Sequence, residues 1–117
     1  MKQDAPYIMT YKHGFVDIAC ELQQSELKIF SVIFNNTNFG NTCYMKQIDI
    51  ANKLNMDKAN LSRRIKRITT LNLIRKSKKG FMLNPEYFLL GPQEDKPKLM
   101  AIYSALDKSG SVNAAPK

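Results

Sequence analysis

Between Gln47 and Ile68 the apolar residues Ile48, Ala51, Leu54, Met56, Leu61, Ile65 and Ile68 recur at the spacing of two short helices that cross steeply through a tight turn. Two helices approach that closely only over a small side chain, and Ala51 stands at the crossing. Asn55 falls in the turn, where a residue must tolerate positive φ; Gly does so most readily and Asn acceptably. Asp57 then caps the second helix. Its carboxylate can accept the backbone N–H of Ala59 or Asn60, and its charge favours the positive end of the helix dipole. Spacing, small residue, turn residue and cap together predict a helix-turn-helix.

The flanking pattern supplies the other elements. Ser25 can cap a first helix whose apolar residues Leu27, Phe30, Ile33 and Phe34 recur at helical spacing, and Asn35 to Asn41 is rich in turn formers. Thr42-Cys43-Tyr44-Met45 reads as a brief strand. Upstream, Gly14 to Cys20 leans towards a strand packed on the first helix, and Met1 to Lys12 towards irregular chain. Downstream, Leu73 to Ser77 and Phe81 to Asn84 read as two strands joined by Lys78-Lys79-Gly80, a hairpin wing. Asn84-Pro85 ends the second strand, because proline has no ladder donor and restrains the residue before it. Tyr87, Phe88, Leu89 and Leu90 are expected to fold back over the core.

Beyond a linker at Gly91 to Lys96, Leu99, Ile102, Tyr103 and Leu106 repeat at i, i+3, i+4 and i+7, the stripe of a short amphipathic helix. It must bury that stripe on its own domain or on the same helix of a second copy. The frequent palindromy of operators favours a homodimer through residues 97–107. The expected fold is α+β: a winged helix-turn-helix with a three-helix core, a β-hairpin wing and a C-terminal helix. Residues 1–91 form the domain, 92–108 the linker and C-terminal helix, and 109–117 a disordered tail.

Composition narrows the class. A chain of 117 residues, 44% hydrophobic, fits one domain with a modest core. It has no apolar run long enough to cross a membrane and no secretory signal core, so a cytoplasmic location is expected. Cys20 and Cys43 stand 23 positions apart without a CxxC and with His13 as the one histidine, so no metal or cofactor is expected and both cysteines read as small buried hydrophobes.

Charge changes the picture more. The chain has 18 basic and 10 acidic residues, +8 in all, and nine of the basic ones lie in KANLSRRIKRITTLNLIRKSKKG, Lys58 to Gly80, which has no Asp or Glu. The other nine basic residues against ten acidic leave the rest of the chain at −1. A surplus so concentrated is the footprint of a surface that meets phosphates.

At ~100° per residue, Leu61, Ile65 and Ile68 share the core stripe of the second helix, while Ala59, Asn60, Ser62, Arg63, Lys66 and Arg67 spread over the other side, with Arg64 on a flank. In helix-turn-helix proteins the N-terminal part of this helix enters the major groove, which points Lys58, Asn60, Ser62 and Arg63 at base edges. Asn60 suits adenine and Arg63 guanine. Lys66 and Arg67 lie further along, where phosphate contact is expected, Arg64 on the flank is counted with the DNA-binding residues, and the wing lysines Lys76, Lys78 and Lys79 would lie along the backbone or over a minor groove.

Catalysis finds no support: there is no Ser/His/Asp or Cys/His set, no phosphate loop and no spaced carboxylate pair. A winged helix serving protein interaction alone would not need the basic segment. RNA binding would call for exposed aromatic platforms that the segment lacks.

From Ser25 to Gly91 the order of elements resembles the winged-helix domain of RepL-type plasmid replication initiators of Gram-positive bacteria. The segment after the wing, GFMLNPEYFLLG from Gly80 to Gly91, carries the likeness most, with its aromatic-Met-aliphatic-Asn-Pro-x-aromatic-aromatic order ending at Gly. The resemblance implies sequence-specific binding of double-stranded DNA at an origin and recruitment of host replication machinery, without enzymatic activity. A copy-number or transcriptional regulator sharing the domain is the alternative.

Overall fold

In the computed structural model, which describes residues 8–106, the helix pair predicted between Gln47 and Ile68 is formed by α3 (Gln47–Leu54) and α4 (Lys58–Thr70). Ala51 is buried at their contact, and Asn55 takes the left-handed conformation at φ 55°, ψ 47°. The Met56 N–H donates to the Ala51 carbonyl at 2.9 Å, closing the turn. Asp57 caps α4 by accepting the Asn60 N–H at 3.2 Å. Leu61, Ile65 and Ile68 are buried as their spacing requires. On α3 the expectation needs correcting: Ile50 is buried and Ile48 is 43% exposed. The inward arc runs through Ile50, Ala51 and Leu54, and Ile48 falls roughly 110° from its middle.

The elements before this pair are β1 (Met9–Thr10), α1 (Lys12–Glu21), α2 (Gln24–Asn35), β2 (Thr37–Asn38) and β3 (Thr42–Cys43). The segment Gly14 to Cys20, expected as a strand, is helical. Gly14 faces the closing segment, where a Cβ would come 2.7 Å from the Cβ of Tyr87, so the glycine serves a close helix contact. That tertiary packing overrides the β preference of Phe15, Val16 and Ile18. On α1 Cys20 is exposed, against the expectation of burial, while Cys43 in β3 is buried. The helix meets the rest of the molecule through Gly14 and Ile18, which turns Cys20 to solvent.

Helix α2 starts one residue before Ser25. Its cap is Gln23, whose N–H donates to Glu26 Oε1 at 2.9 Å, so the acid at the third position satisfies the cap residue's own N–H, the reciprocal half of a capping box. Ile29, Phe30, Val32 and Ile33 are buried, while Leu27, expected on the core stripe, is largely exposed because Glu26 takes the inward position.

After α4 come β4 (Ile74–Ser77), β5 (Gly80–Leu83), β6 (Phe88–Leu89), a 3-10 turn at Gln93–Asp95 and α5 (Lys96–Ser104). Strands β4 and β5 pair antiparallel from Ile74↔Leu83 to Ser77↔Gly80, which leaves Lys78-Lys79 as a two-residue turn. On its other edge β5 pairs with β3, and β3 with β2, giving the order β2-β3-β5-β4. A Cβ on Gly80 would run into the Cys43 carbonyl, so only glycine lets these strands meet at this point. The fold is α+β and consistent with a winged helix, with α1 as an additional helix before the three expected in its core.

The closing segment packs as predicted. Phe88, Leu89 and Leu90 are buried, and Phe30, Phe34 and Phe88 form an aromatic cluster with centroids 5.5 to 5.7 Å apart. Asn41, from the turn-forming run, pins this segment: its Nδ2 donates to the carbonyls of Leu83 and Phe88, and its Oδ1 accepts the Leu90 N–H. Helix α5 buries Leu99 and Tyr103 against Met82 and Leu89 of its own domain. Ile102, on the predicted stripe, is 47% exposed, because the helix is held at Tyr103. Of Met1 to Lys12, expected as irregular chain, Met9–Thr10 instead pair with β6 and Lys12 opens α1, because the closing segment offers them a partner; residues 1–7, like the tail expected to be disordered at 109–117, lie outside the described residues.

Candidate nucleic-acid interface

Helix α4 presents Lys58, Ala59, Ser62, Arg63 and Lys66 to solvent, with Asn60 half-buried beside its cap. Arg63 Nη2 donates to Asn60 Oδ1 at 3.2 Å, so two of the four side chains expected at base edges hold one another one turn apart. The hydroxyls of Thr69 and Thr70 both donate to the Lys66 carbonyl, which occupies a carbonyl near the helix end.

Three of the nine basic residues turn inward. Arg67 Nη1 donates to Glu26 Oε1 at 2.7 Å and to the Glu21 carbonyl at 3.2 Å. Arg64 Nη1 donates to Gln23 Oε1 at 2.8 Å and lies 3.7 Å from Glu26 Oε2. Glu26 itself has no exposed surface. The third, Arg75 in β4, is buried under α5, where its Nη1 donates to the Tyr103 carbonyl at 2.8 Å. Six cations of the run remain without such a tie among the described residues: Lys58, Arg63, Lys66, Lys76, Lys78 and Lys79.

On the wing Lys78 and Lys79 stand exposed at the turn. Lys76 is half-buried, and its desolvation lowers its pKa below the usual lysine value. Lys76, Ser77, Lys78 and Phe81 of the wing line a cleft of about 280 Å³ together with Lys46 and Gln47 at the start of α3. Lys46 and Gln47 were not legible as site residues. They precede the basic run by more than ten positions, and only the pairing of β3 with β5 brings the start of α3 beside the wing. The Ser77 hydroxyl in this cleft is buried without a hydrogen-bond partner.

A larger hollow, about 590 Å³, lies on α2 among Ile18, Leu27, Phe30, Phe34 and Lys53. Its lining is mostly apolar, with Ser31, Asn35, Asn36 and Lys53 as its polar members. Among the described residues no cluster of three or more His, Cys, Asp or Glu could hold a metal ion, and no helix is long and apolar enough to cross a membrane.

A family model described as Firmicute plasmid replication protein (RepL) matches residues 2–115. The match runs well past Gly91, where the resemblance of the sequence ended, and takes in α5. No curated protein and no solved structure matches the chain.

Proposed function

Because the chain belongs to the RepL family of Firmicute plasmid replication proteins, we propose that it acts in replication initiation by binding double-stranded DNA at an origin through α4 and the β4–β5 wing. The observation that carries this reading is the row Lys58, Asn60, Ser62, Arg63 and Lys66 on α4, which offers hydrogen-bond donors and no carboxylate. With the N-terminal half of α4 in the major groove, Asn60 would meet adenine and Arg63 guanine, each by two hydrogen bonds. Their mutual bond at 3.2 Å would be exchanged for those contacts.

Lys66, Lys78 and Lys79 then act on phosphates, and so does the cleft between Lys46 and Lys76, where low-dielectric walls strengthen an ionic contact. Such contacts fix the register of the protein on the duplex without reading sequence. Initiation would follow in the cytoplasm through recruitment of host replication machinery to the bound origin, with no catalytic step by this chain. With Leu99 and Tyr103 buried on the protein's own domain, α5 is assigned to support of the wing rather than to a homodimer seam.

Binding a promoter as a copy-number regulator would use the same surface, so location of the site separates the two. Mapping bound fragments of the source plasmid, followed by footprinting, is expected to place protection within the origin, with loss of maintenance when that site is altered. Protection confined to a promoter would overturn initiation, and no retarded band in dilute buffer would overturn DNA binding.

A further inference from the structure

Glu26 lies in the first turn of α2 with no exposed surface, against α4 rather than solvent. Its Oε1 accepts Arg67 Nη1 at 2.7 Å and the Gln23 N–H at 2.9 Å. Its Oε2 has no hydrogen bond, and Arg64 Nη1 stands 3.7 Å away. The two arginines keep 34% and 40% of their side-chain exposure, so their stems lie at the edge of the surface that carries Arg63 and Lys66.

Stability alone is a poor reason for this arrangement, since an apolar residue of similar volume commonly holds a core as well as a buried ion pair does. What an apolar residue could not do is hold two guanidiniums. Arg64 and Arg67 are one turn apart on the proposed reading helix, and, free of Glu26, both could extend to phosphates. Each such contact would strengthen binding to every sequence alike, whereas an origin binder depends on the ratio of specific to non-specific affinity.

We propose that Glu26 is a positioning residue that withholds Arg64 and Arg67 from the DNA backbone, limiting non-specific affinity and leaving the outward row of α4 to make the contacts. This rests on the DNA-binding reading above. Gln23 assists as a neutral tether for Arg64, and the Glu21 carbonyl for Arg67.

The test is a salt titration of binding to a random-sequence duplex by the full chain. Glu26→Gln keeps the shape and the acceptor for the Gln23 N–H but removes the charge. It is expected to bind the random duplex more tightly, with log K falling more steeply against log salt by about 0.9 for each arginine released. Adding Arg64→Ala and Arg67→Ala to that variant should return the slope to the wild-type value. Arg64→Ala alone, at a partly exposed position that folding tolerates, should leave the wild-type slope unchanged.

A shallower slope for Arg64→Ala alone would mean that Arg64 already touches phosphate, and would overturn the inference. So would a folded Glu26→Gln protein with the wild-type slope; a loss of thermal stability without a change of slope marks a structural role only. Wild-type protein that fails to bind the duplex in dilute buffer would overturn the DNA-binding reading, and this inference with it.

Discussion

The guanidinium carbon of Arg75 lies over Tyr103, 4.3 Å from the centre of its ring, and Arg75 Nη1 donates to the Tyr103 carbonyl at 2.8 Å. A cation from the basic run thus joins a wing strand to the C-terminal helix. The Tyr103 hydroxyl completes the joint by donating to Asn72 Oδ1 at 3.0 Å. Tyr103→Ala should therefore cost about 3–5 kcal/mol, the range for deleting a buried aromatic. Ile102→Ala, one position away and exposed, should stay within ~0.5 kcal/mol. Urea denaturation of both variants checks the pair, and equal losses would contradict the docking of α5.

Asn55 and Asn72 share left-handed backbone, at φ 55° and 63°, but differ in what their side chains do. Asn55→Gly should be close to neutral, because no hydrogen bond of the Asn55 side chain is lost and glycine adopts the conformation freely. Asn72→Gly removes the side-chain acceptor of Arg75 Nη2 and of the Tyr103 hydroxyl, which keeps only the longer 3.3 Å contact with the backbone carbonyl at position 72, and should cost about 1 kcal/mol. Ala51→Leu, at the helix crossing, should cost about 1–3 kcal/mol by overpacking. Thermal melts of the three variants distinguish these effects.

On the proposed interface the two kinds of contact should separate under substitution. Arg63→Ala should lose about 1–3 kcal/mol on the footprinted site and relax its base preference. Lys78→Ala should weaken all sequences alike and flatten the salt slope by about 0.9. Lys46→Ala should behave like Lys78→Ala, although it lies outside the basic run. Fluorescence anisotropy on specific and random duplexes measures all three, and an unchanged slope for Lys46→Ala would remove the cleft from the interface.

Burial raises the Cys43 thiol above its usual range, with a smaller opposing effect from its hydrogen bond with the backbone of Met45. Both folded and unfolded forms hold the proton at neutral pH, so stability there is unaffected by this group. As pH rises past the unfolded thiol value, about 8.5, the unfolded chain ionises first and stability declines until the folded thiol also titrates. Tyr103, likewise raised mainly by burial, extends the decline above about pH 10. Lys76 works in the opposite sense, since its lowered pKa lets the folded state shed a proton first. Urea midpoints followed from neutral to alkaline pH should therefore fall less steeply for Cys43→Ala than for wild type. Iodoacetamide at neutral pH should modify exposed Cys20 and spare Cys43 until the chain unfolds.

What the sequence determined by itself was the part governed by short-range rules. The α3–α4 pair, the Asn55 turn, the Asp57 cap and the two-stranded wing each depend on residues within a few positions of one another, so propensity, capping and periodicity were enough. The tertiary structure alone decided the rest. Gly14 became part of a helix because Tyr87, more than 70 positions on, needed room; Glu26, some 40 positions upstream, drew Arg64 and Arg67 inward; α5 took Arg75; and the β3–β5 pairing set Lys46 beside the wing. Counting charges along a chain measures a surplus but not its direction, because the partner that turns a guanidinium towards the core or leaves it to solvent is chosen by contacts between residues far apart in sequence.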